Sequence, residues 1–403
     1  MSDQTRSALS FVLLTWFLGN LNVYFFMPFL PLIKHDFMAS AIIVQYVISI
    51  FYICKAGGML LFGTMGEIIG RRKVMLIGIA MICIASFISL FITDMRVLLV
   101  CRMFQGLGVS ATVLMGRTII NDIYEGKEAA RVFSKIMFAA CLIITLLPIL
   151  GGYVAKLNSY RIAFFVIMAY TLIIGIFAYF YLPETSKADN KDKFEISAVF
   201  KYYLTILRER YFLAFILCTI FVVAGESVFD TASPLLMMGT YGFSTVSYGY
   251  FVSFMSLISW IGILAAGMLL KKYSLEEIMG IGAILSLISG LIILLQIFSG
   301  TIHLAFFLLS MIAFFLGSGF ILTVFNVGVV KNHQKTISIA SSASLFLYFS
   351  CSALGSFIIS HFSNKTIMPL AIAMIILCFI VFLFWLTLLA PLIRLNSSQT
   401  VNG

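Results

Sequence analysis

Gly63-Thr64-Met65-Gly66-Glu67-Ile68-Ile69-Gly70-Arg71-Arg72-Lys73-Val74 is a short basic turn between two long apolar runs, Ile42–Phe62 and Val74–Ile92. Gly63 and Gly70 permit tight turning and close backbone approach. Arg71, Arg72 and Lys73 enter hydrocarbon only at high cost, so they hold the turn in water. The stretch therefore pins one end of a hairpin of membrane helices, by charge bias the cytoplasmic end. An arginine-rich turn can do no more than set topology. The glycine spacing around Glu67 is more particular than topology needs.

Outward from this turn the chain repeats the same grammar. Of 403 residues, 62% are hydrophobic and 10% charged, more apolar surface than a soluble globular chain can use. A bilayer-crossing helix needs about 20 apolar residues, and the chain holds about twelve such runs. The spans are placed at 10–30, 43–63, 74–92, 96–118, 131–152, 161–182, 211–235, 246–270, 278–298, 303–327, 337–360 and 367–391. The expected fold is an all-α integral membrane protein of twelve transmembrane helices in two six-helix pseudo-repeats. Residues 1–183 form the first bundle, 184–210 a polar cytoplasmic linker with an interfacial helix over Val199–Arg210, and 211–403 the second bundle. The first run is long and lacks a small-residue cleavage site, so it reads as a retained span rather than a signal peptide.

Charge placement orients the bundle. Eighteen of the 26 lysines and arginines fall on the side of the two termini, five on the other side, and three (Lys55, Arg102 and Arg117) inside spans. Both termini are expected in the cytoplasm. The same bias accounts for the net charge of +10 without nucleic acid. The seven cysteines lie within spans and show no metal-ligand spacing. His35, His303, His333 and His361 are isolated near loops. Neither a catalytic triad nor a metal cluster points to an enzyme. No Gly-x-x-x-x-Gly-Lys-[Ser/Thr] stretch is present, so ATP is not expected as the energy source and no cofactor is implied beyond a proton gradient. Gly267-Met268-Leu269-Leu270-Lys271-Lys272, ending the eighth span, weakly echoes the opening stretch and sits where a second repeat would place it.

The opening stretch resembles the loop between the second and third helices of major facilitator superfamily transporters, with Glu67 at an aspartate position and Ile68 at an arginine position. Leu98–Ala111 resembles the superfamily's fourth-helix motif, matched by Arg102, Gln105, Gly106 and Gly108. An arginine snorkelling to the interface is the plainer reading of Arg102. Pro148, Gly151 and Gly152 resemble the fifth-helix motif of exporters, although an ordinary proline kink would use the same residues. Finer marks resemble the Bcr/CflA-like branch of drug:proton antiporters. They are Met27-Pro28-Phe29-Leu30-Pro31, Gln45, Arg117 with Asp122, Leu182-Pro183-Glu184-Thr185, and Ser233-Pro234. The resemblance implies a monomeric, multi-pass transporter of the bacterial inner membrane. It would move a small organic molecule against protons between two bundles around a shared cavity. Gly63, Glu67, Gly70, Arg71, Arg72, Arg117, Asp122, Pro148, Gly151 and Gly152 would serve its gates.

The chain departs from that branch in its first half. Tyr24 stands where an aspartate is usual, and Lys55 where the branch is apolar. The acids well inside a span are Glu226 and Asp230, four residues apart and so on one helix face. One reading makes Lys55 and these acids structural ion pairs. The other gives Lys55 and Arg102, beside Tyr24 and Asn22, to an anionic or zwitterionic substrate such as a carboxylate-bearing metabolite or siderophore, and gives the proton to Glu226 or Asp230. Proton-symport uptake and a non-transporting membrane sensor are the alternatives to export.

Overall fold

A computed structural model describes residues 3–124, 144–185, 208–300, 303–329, 337–362, 366–391 and 393. Outside the described residues lie most of the expected interfacial helix Val199–Arg210, the first half of the fifth span, Cys141 and His333. So do ten cationic loop positions of the charge count: Lys127, Arg131, Lys135, Lys187, Lys191, Lys193, Lys201, Lys331, Lys335 and Lys365; Arg6 and Asn326 lie on described backbone with undescribed side chains, and Arg394 lies outside it.

The described residues are helical with short connections. Helix α1 (Asp3–Asn20) is prolonged by a π-turn over Leu21–Phe25, a 3-10 turn over Met27–Phe29 and a last stretch Leu30–Asp36. It thus runs six residues beyond the expected end at 30. Pro28 and Pro31 explain the irregular turns, because each removes a backbone donor and crowds the preceding turn. Then follow α2 (Ala41–Ile69), α3 (Arg71–Ser89), α4 (Met95–Ile123), α5 (Ile144–Ala155) and α6 (Arg161–Tyr181). After the linker come α7 (Arg210–Leu235), α8 (Thr245–Leu269), α9 (Leu275–Phe298), α10 (Leu304–Gly328), α11 (Ile337–Ser360) and α12 (Met368–Phe384). Pro234 inside α7 is likewise followed by a π-turn, Leu236–Thr240, so this span does not stop at 235. Among the described residues, eleven helices are long and apolar enough to cross a membrane, and Ile144–Ala155 is a shorter apolar one.

By internal packing the chain divides into two compact units, Met1–Phe194 with Thr231–Ser253, and Glu195–Asp230 with Phe254–Gly403. In the first, α4 is the hub, packed by α1, α2 and α3, while α3 also packs on α6. In the second, α9 packs on α10 and α12. The sequence reading assigns Thr231–Ser253 to the second bundle, but its contacts belong to the first. Gly152 and Gly249 let backbones of α5 and α8 meet, and Thr245 Oγ1 donates to Gly152 O at 2.9 Å.

Small residues set the helix spacing in both units, as expected where lipid supplies no hydrophobic push between helices. A Cβ at Gly108 of α4 would press on Gly78 O of α3, and one at Gly106 would lie 3.2 Å from the carbonyl carbon of Phe51 in α2. The second unit repeats the device. A Cβ at Gly317 of α10 would lie 2.7 Å from Gly282 O of α9, and one at Gly319 would lie 2.9 Å from Gly262 of α8. Gly106-Leu107-Gly108 and Gly317-Ser318-Gly319 are therefore the packing trace of the repeat. Gly267, at the basic end of α8, takes no part in this packing, since nothing lies within 4 Å of a Cβ there.

Candidate functional site

Three polar clusters interrupt the apolar helices. The first is the basic turn itself. Gly70 has φ +98°, a left-handed conformation that glycine alone adopts freely, and it swings the chain from α2 straight into α3. A helix start leaves backbone N–H groups unpaired. Here the carboxylate of Glu184, arriving from beyond α6, takes two of them: Arg71 N at 2.9 Å and Arg72 N at 3.3 Å. The missing side chain at Gly70 makes room, since a Cβ there would collide with that carboxylate. Arg71, 7% exposed, spreads its guanidinium over Gly66 O (2.7 Å), Glu67 Oε1 (2.8 Å) and Asp122 Oδ2 (3.2 Å). Thr185 Oγ1 donates to the same Asp122 oxygen at 2.9 Å, and Arg72 donates to Tyr179 O.

Glu67, Gly70, Arg71, Arg72 and Asp122, which the resemblance assigns to a gate, therefore do meet, with Glu67 where the superfamily has an aspartate. Gly63 lies a turn and more away on α2, against Leu114. Arg117 is half-buried on α4. What the sequence reading left unassigned is the role of Glu184 and Thr185, which it treats as a family mark only. The signal was present: an acid following a span is a ready cap for a helix that lacks a Ser, Thr, Asp or Asn at its own N-cap. Replacing Glu184 by Ala should cost about 0.5–2 kcal/mol, the usual worth of a helix cap. Thermal unfolding of the purified protein should show a lowered midpoint for Glu184→Ala and a partial recovery for Glu184→Gln; an unchanged midpoint in both variants would refute the cap.

The second cluster surrounds Arg102, 1% exposed on α4. Its donors go to Val47 O of α2 (3.1 Å), Asn22 O of α1 (3.1 Å) and Gln105 Oε1 (2.9 Å). Gln105 Nε2 in turn donates to Ser86 Oγ of α3 at 2.9 Å. The rings of Phe26 and Phe51 lie 4.3 and 4.6 Å from the guanidinium carbon. The arginine neither snorkels nor opens to a ligand; it ties α1, α2 and α4 together through main-chain oxygens. The π-turn of α1 matters here, because loosened turns leave carbonyls free to accept from outside the helix. Asn22 Nδ2 and Asn20 Nδ2 bond within α1, to Leu18 O and Trp16 O, both at 2.9 Å. Asn22 Oδ1 and Gln45 Oε1, both buried, accept no hydrogen bond among the described residues. Tyr24 and Lys55 are half-buried on α1 and α2.

Towards the end of this unit away from Gly70, α5 and α8 close on one another. A Cβ at Gly151, Gly152 or Gly249 would lie 3.0 Å from the carbonyl carbon of Phe25, Thr245 or Pro148 respectively, closer than ordinary van der Waals contact. Tyr153 and Tyr250 meet through their hydroxyls at 3.1 Å, and Ser233 Oγ and Tyr248 Oη lie 3.0 Å apart. Gln45 Nε2 reaches Thr231 O at 3.4 Å. Pro148, Gly151 and Gly152 thus form a seam, not an isolated kink.

The third cluster is in the second unit. Glu226 and Asp230 lie on one face of α7, half-buried and 6% exposed respectively. Glu226 hydrogen-bonds Ser318 in the Gly-Ser-Gly turn of α10, and Tyr348 of α11 lies within electrostatic reach of both carboxylates. Ser318 Oγ is also 3.2 Å from Ser259 Oγ of α8. Groups from α10 and α11 thus gather at the two acids of α7, and α8 joins them through Ser318. Elsewhere in it, Tyr211 donates to Glu276 Oε1 (2.7 Å) and Trp385 Nε1 to Glu276 O (3.1 Å), tying the starts of α7 and α9 to the end of α12.

Two bundles of apolar helices, with ionised side chains concentrated at a basic hairpin turn and at a few points within the helices, define a multi-pass membrane transporter. The chain belongs to the Major Facilitator Superfamily, whose family model matches residues 12–335. It is similar to the bicyclomycin resistance protein homolog of Haemophilus influenzae, 24% identical over 320 residues, covering 78% of this chain and 79% of that one. It is similar also to the multidrug resistance protein MdtL of Shewanella oneidensis, at 23% identity with 77% and 75% covered. These relatives agree with the Bcr/CflA-like resemblance of the motifs. Among solved structures, a POT family transporter in complex with 5-aminolevulinic acid superposes with TM-score 0.74 at 14% identity, covering 95% of each chain. A D-xylose-proton symporter gives 0.71 at 15% identity, with 95% and 98% covered. At that identity the likeness is one of fold. The superfamily consists of transporters, not enzymes.

Proposed function

We propose that the protein exports small organic molecules across a bacterial inner membrane in exchange for protons, by alternating access, with both termini in the cytoplasm. The observation that carries this reading is the convergence of Glu226, Asp230, Ser318 and Tyr348 inside helices that must cross hydrocarbon. Acids are rare at that depth and belong to pathways for ions and protons. The Ser318 hydroxyl at Glu226 gives a proton a neighbour to pass through. Export, rather than uptake, is favoured by the Pro148–Gly152 seam and by relatives named for resistance to bicyclomycin and to multiple drugs. Substrate contacts fall to Tyr24, Lys55 and the unpaired oxygens of Asn22 and Gln45. With the donors of Arg102 taken by protein oxygens, an anionic cargo such as a carboxylate-bearing metabolite or siderophore rests on Lys55 alone.

Inverted membrane vesicles loaded with a pH-sensitive dye test the proposal. Adding a substrate drug to energised wild-type vesicles should release protons from the lumen. Glu226→Gln and Asp230→Asn should, between them, abolish that response while drug binding persists. Proton movement in the opposite direction would establish symport. Coupling that survives in both variants would place the proton elsewhere, and silence with every drug and organic anion tried would favour a sensor. Lys55→Ala is expected to abolish transport of organic anions and to spare neutral drugs; equal transport of anions by the variant would remove Lys55 from the pathway.

A further inference from the structure

At the end of the first unit away from Gly70, the loops after α1, after α3 and before α6 line an open cavity of about 380 Å3 whose polar lining is His35, Asp36, Thr93, Tyr160 and Arg161. None of these side chains belongs to the clusters above. The floor is built rather than accidental. Tyr160 is 2% exposed, donates to Ile92 O at 2.8 Å and packs its ring 5.2 Å from that of Phe37. The Arg161 guanidinium carbon lies 5.5 Å from the Tyr160 ring.

The charges in this cavity are of both signs. Arg161 is the first residue of α6, where the helix dipole is already positive, and Tyr160 supplies no side-chain cap to it. Cation and helix end together favour an anion. Asp36, with His35 Nδ1 at 3.2 Å, offers a carboxylate that an exposed imidazole holds only weakly. Beside them Met38 takes φ +47°, uncommon for a residue with a side chain, and holds that side chain 95% exposed. Phe91, one residue before Ile92, is 71% exposed. Such apolar groups stand where α1 and α3 end and α6 begins, the level at which helices long enough to span a bilayer leave acyl chains for headgroups.

We infer that this cavity seats the headgroup of a zwitterionic phospholipid carrying a primary amine, its phosphate on Arg161 and the α6 N-terminus, its ammonium on Asp36, and its chains along Met38 and Phe91. A primary ammonium has three N–H donors for the carboxylate, whereas a choline headgroup has none. The site therefore selects phosphatidylethanolamine over phosphatidylcholine, and the apolar fringe selects either over a soluble phosphoethanolamine.

Native mass spectrometry of the full-length protein in detergent, titrated separately with phosphatidylethanolamine, phosphatidylcholine and phosphoethanolamine, tests this. Wild-type protein should retain the ethanolamine lipid at least about tenfold better than the choline lipid, the loss of one charged hydrogen bond being of that order. Asp36→Asn should level the two lipids, and Arg161→Ala should weaken both. Equal retention of the two lipids by the wild type, or retention unchanged in Arg161→Ala, would overturn the assignment. Displacement of the lipid by phosphoethanolamine at equal concentration would show a soluble zwitterion to be the ligand instead.

Discussion

Arg102→Ala should leave little folded protein in the membrane and no transport. The guanidinium satisfies three acceptors, Val47 O, Asn22 O and Gln105 Oε1, that have no water to turn to. Removing one member of a buried charged network costs about 3–5 kcal/mol. That is a large fraction of the 5–15 kcal/mol by which domains are stable. Arg102→Lys should recover part of the loss, since an ammonium keeps the charge but cannot span three diverging oxygens or lie flat between the Phe26 and Phe51 rings. The measurement is the yield of monodisperse protein and its unfolding midpoint in detergent. A stable, transport-competent Arg102→Ala would show that the three-helix tie contributes little.

Gly152→Val is expected to abolish export while leaving membrane insertion intact. A Cβ at Gly152 already lies 3.0 Å from Val246 Cα, and the valine adds two methyl groups in the same place. Overpacking costs about 1–3 kcal/mol even where side chains can yield. Here the obstacle is backbone, so α5 and α8 must separate and the Thr245–Gly152 bond is lost. Gly57→Ala is the control. Nothing lies within 4 Å of a Cβ there, and alanine in a helix is worth about 0.5–1 kcal/mol over glycine. Drug accumulation in cells expressing each variant should rise for Gly152→Val and match wild type for Gly57→Ala. Full export by Gly152→Val would mean that the seam does not need close contact.

The two variants bear on different kinds of cohesion. Arg102 binds helices by hydrogen bonds whose value comes from the absence of water. Gly152 binds them by absence of bulk, letting dispersion and a main-chain hydrogen bond act at short range. Both devices sit within one unit, alongside the carboxylate cap on α3. Glu226, Asp230, Ser318 and Tyr348 instead make up the polar interior of the other unit.

Much of the fold was legible in the chain because hydrocarbon imposes simple rules. Helices must satisfy their own backbone, spans need a fixed run of apolar residues, and cations stay in water. Those rules gave the helical class, nearly all of the spans and the basic turn at Gly70. They also marked Arg102, Glu226 and Asp230 as exceptional, since a charge within a span needs a reason. What they could not give was partnership. Arg102 turned out to face main-chain oxygens, which no residue pattern announces. Glu184 proved to be the cap of a helix more than a hundred residues earlier, a relation that depends on how α6 lies along α3. Thr231–Ser253 packs with the first unit, where glycines on two helices face each other, and the closest packing is repeated at Gly106/Gly108 and Gly317/Gly319, which the sequence reading did not pair. The sequence by itself determined which segments must lie in lipid, because transfer free energy is a local sum over residues. The tertiary structure alone decided which polar groups meet, because a hydrogen bond depends on ångström-scale geometry between segments that the chain keeps far apart.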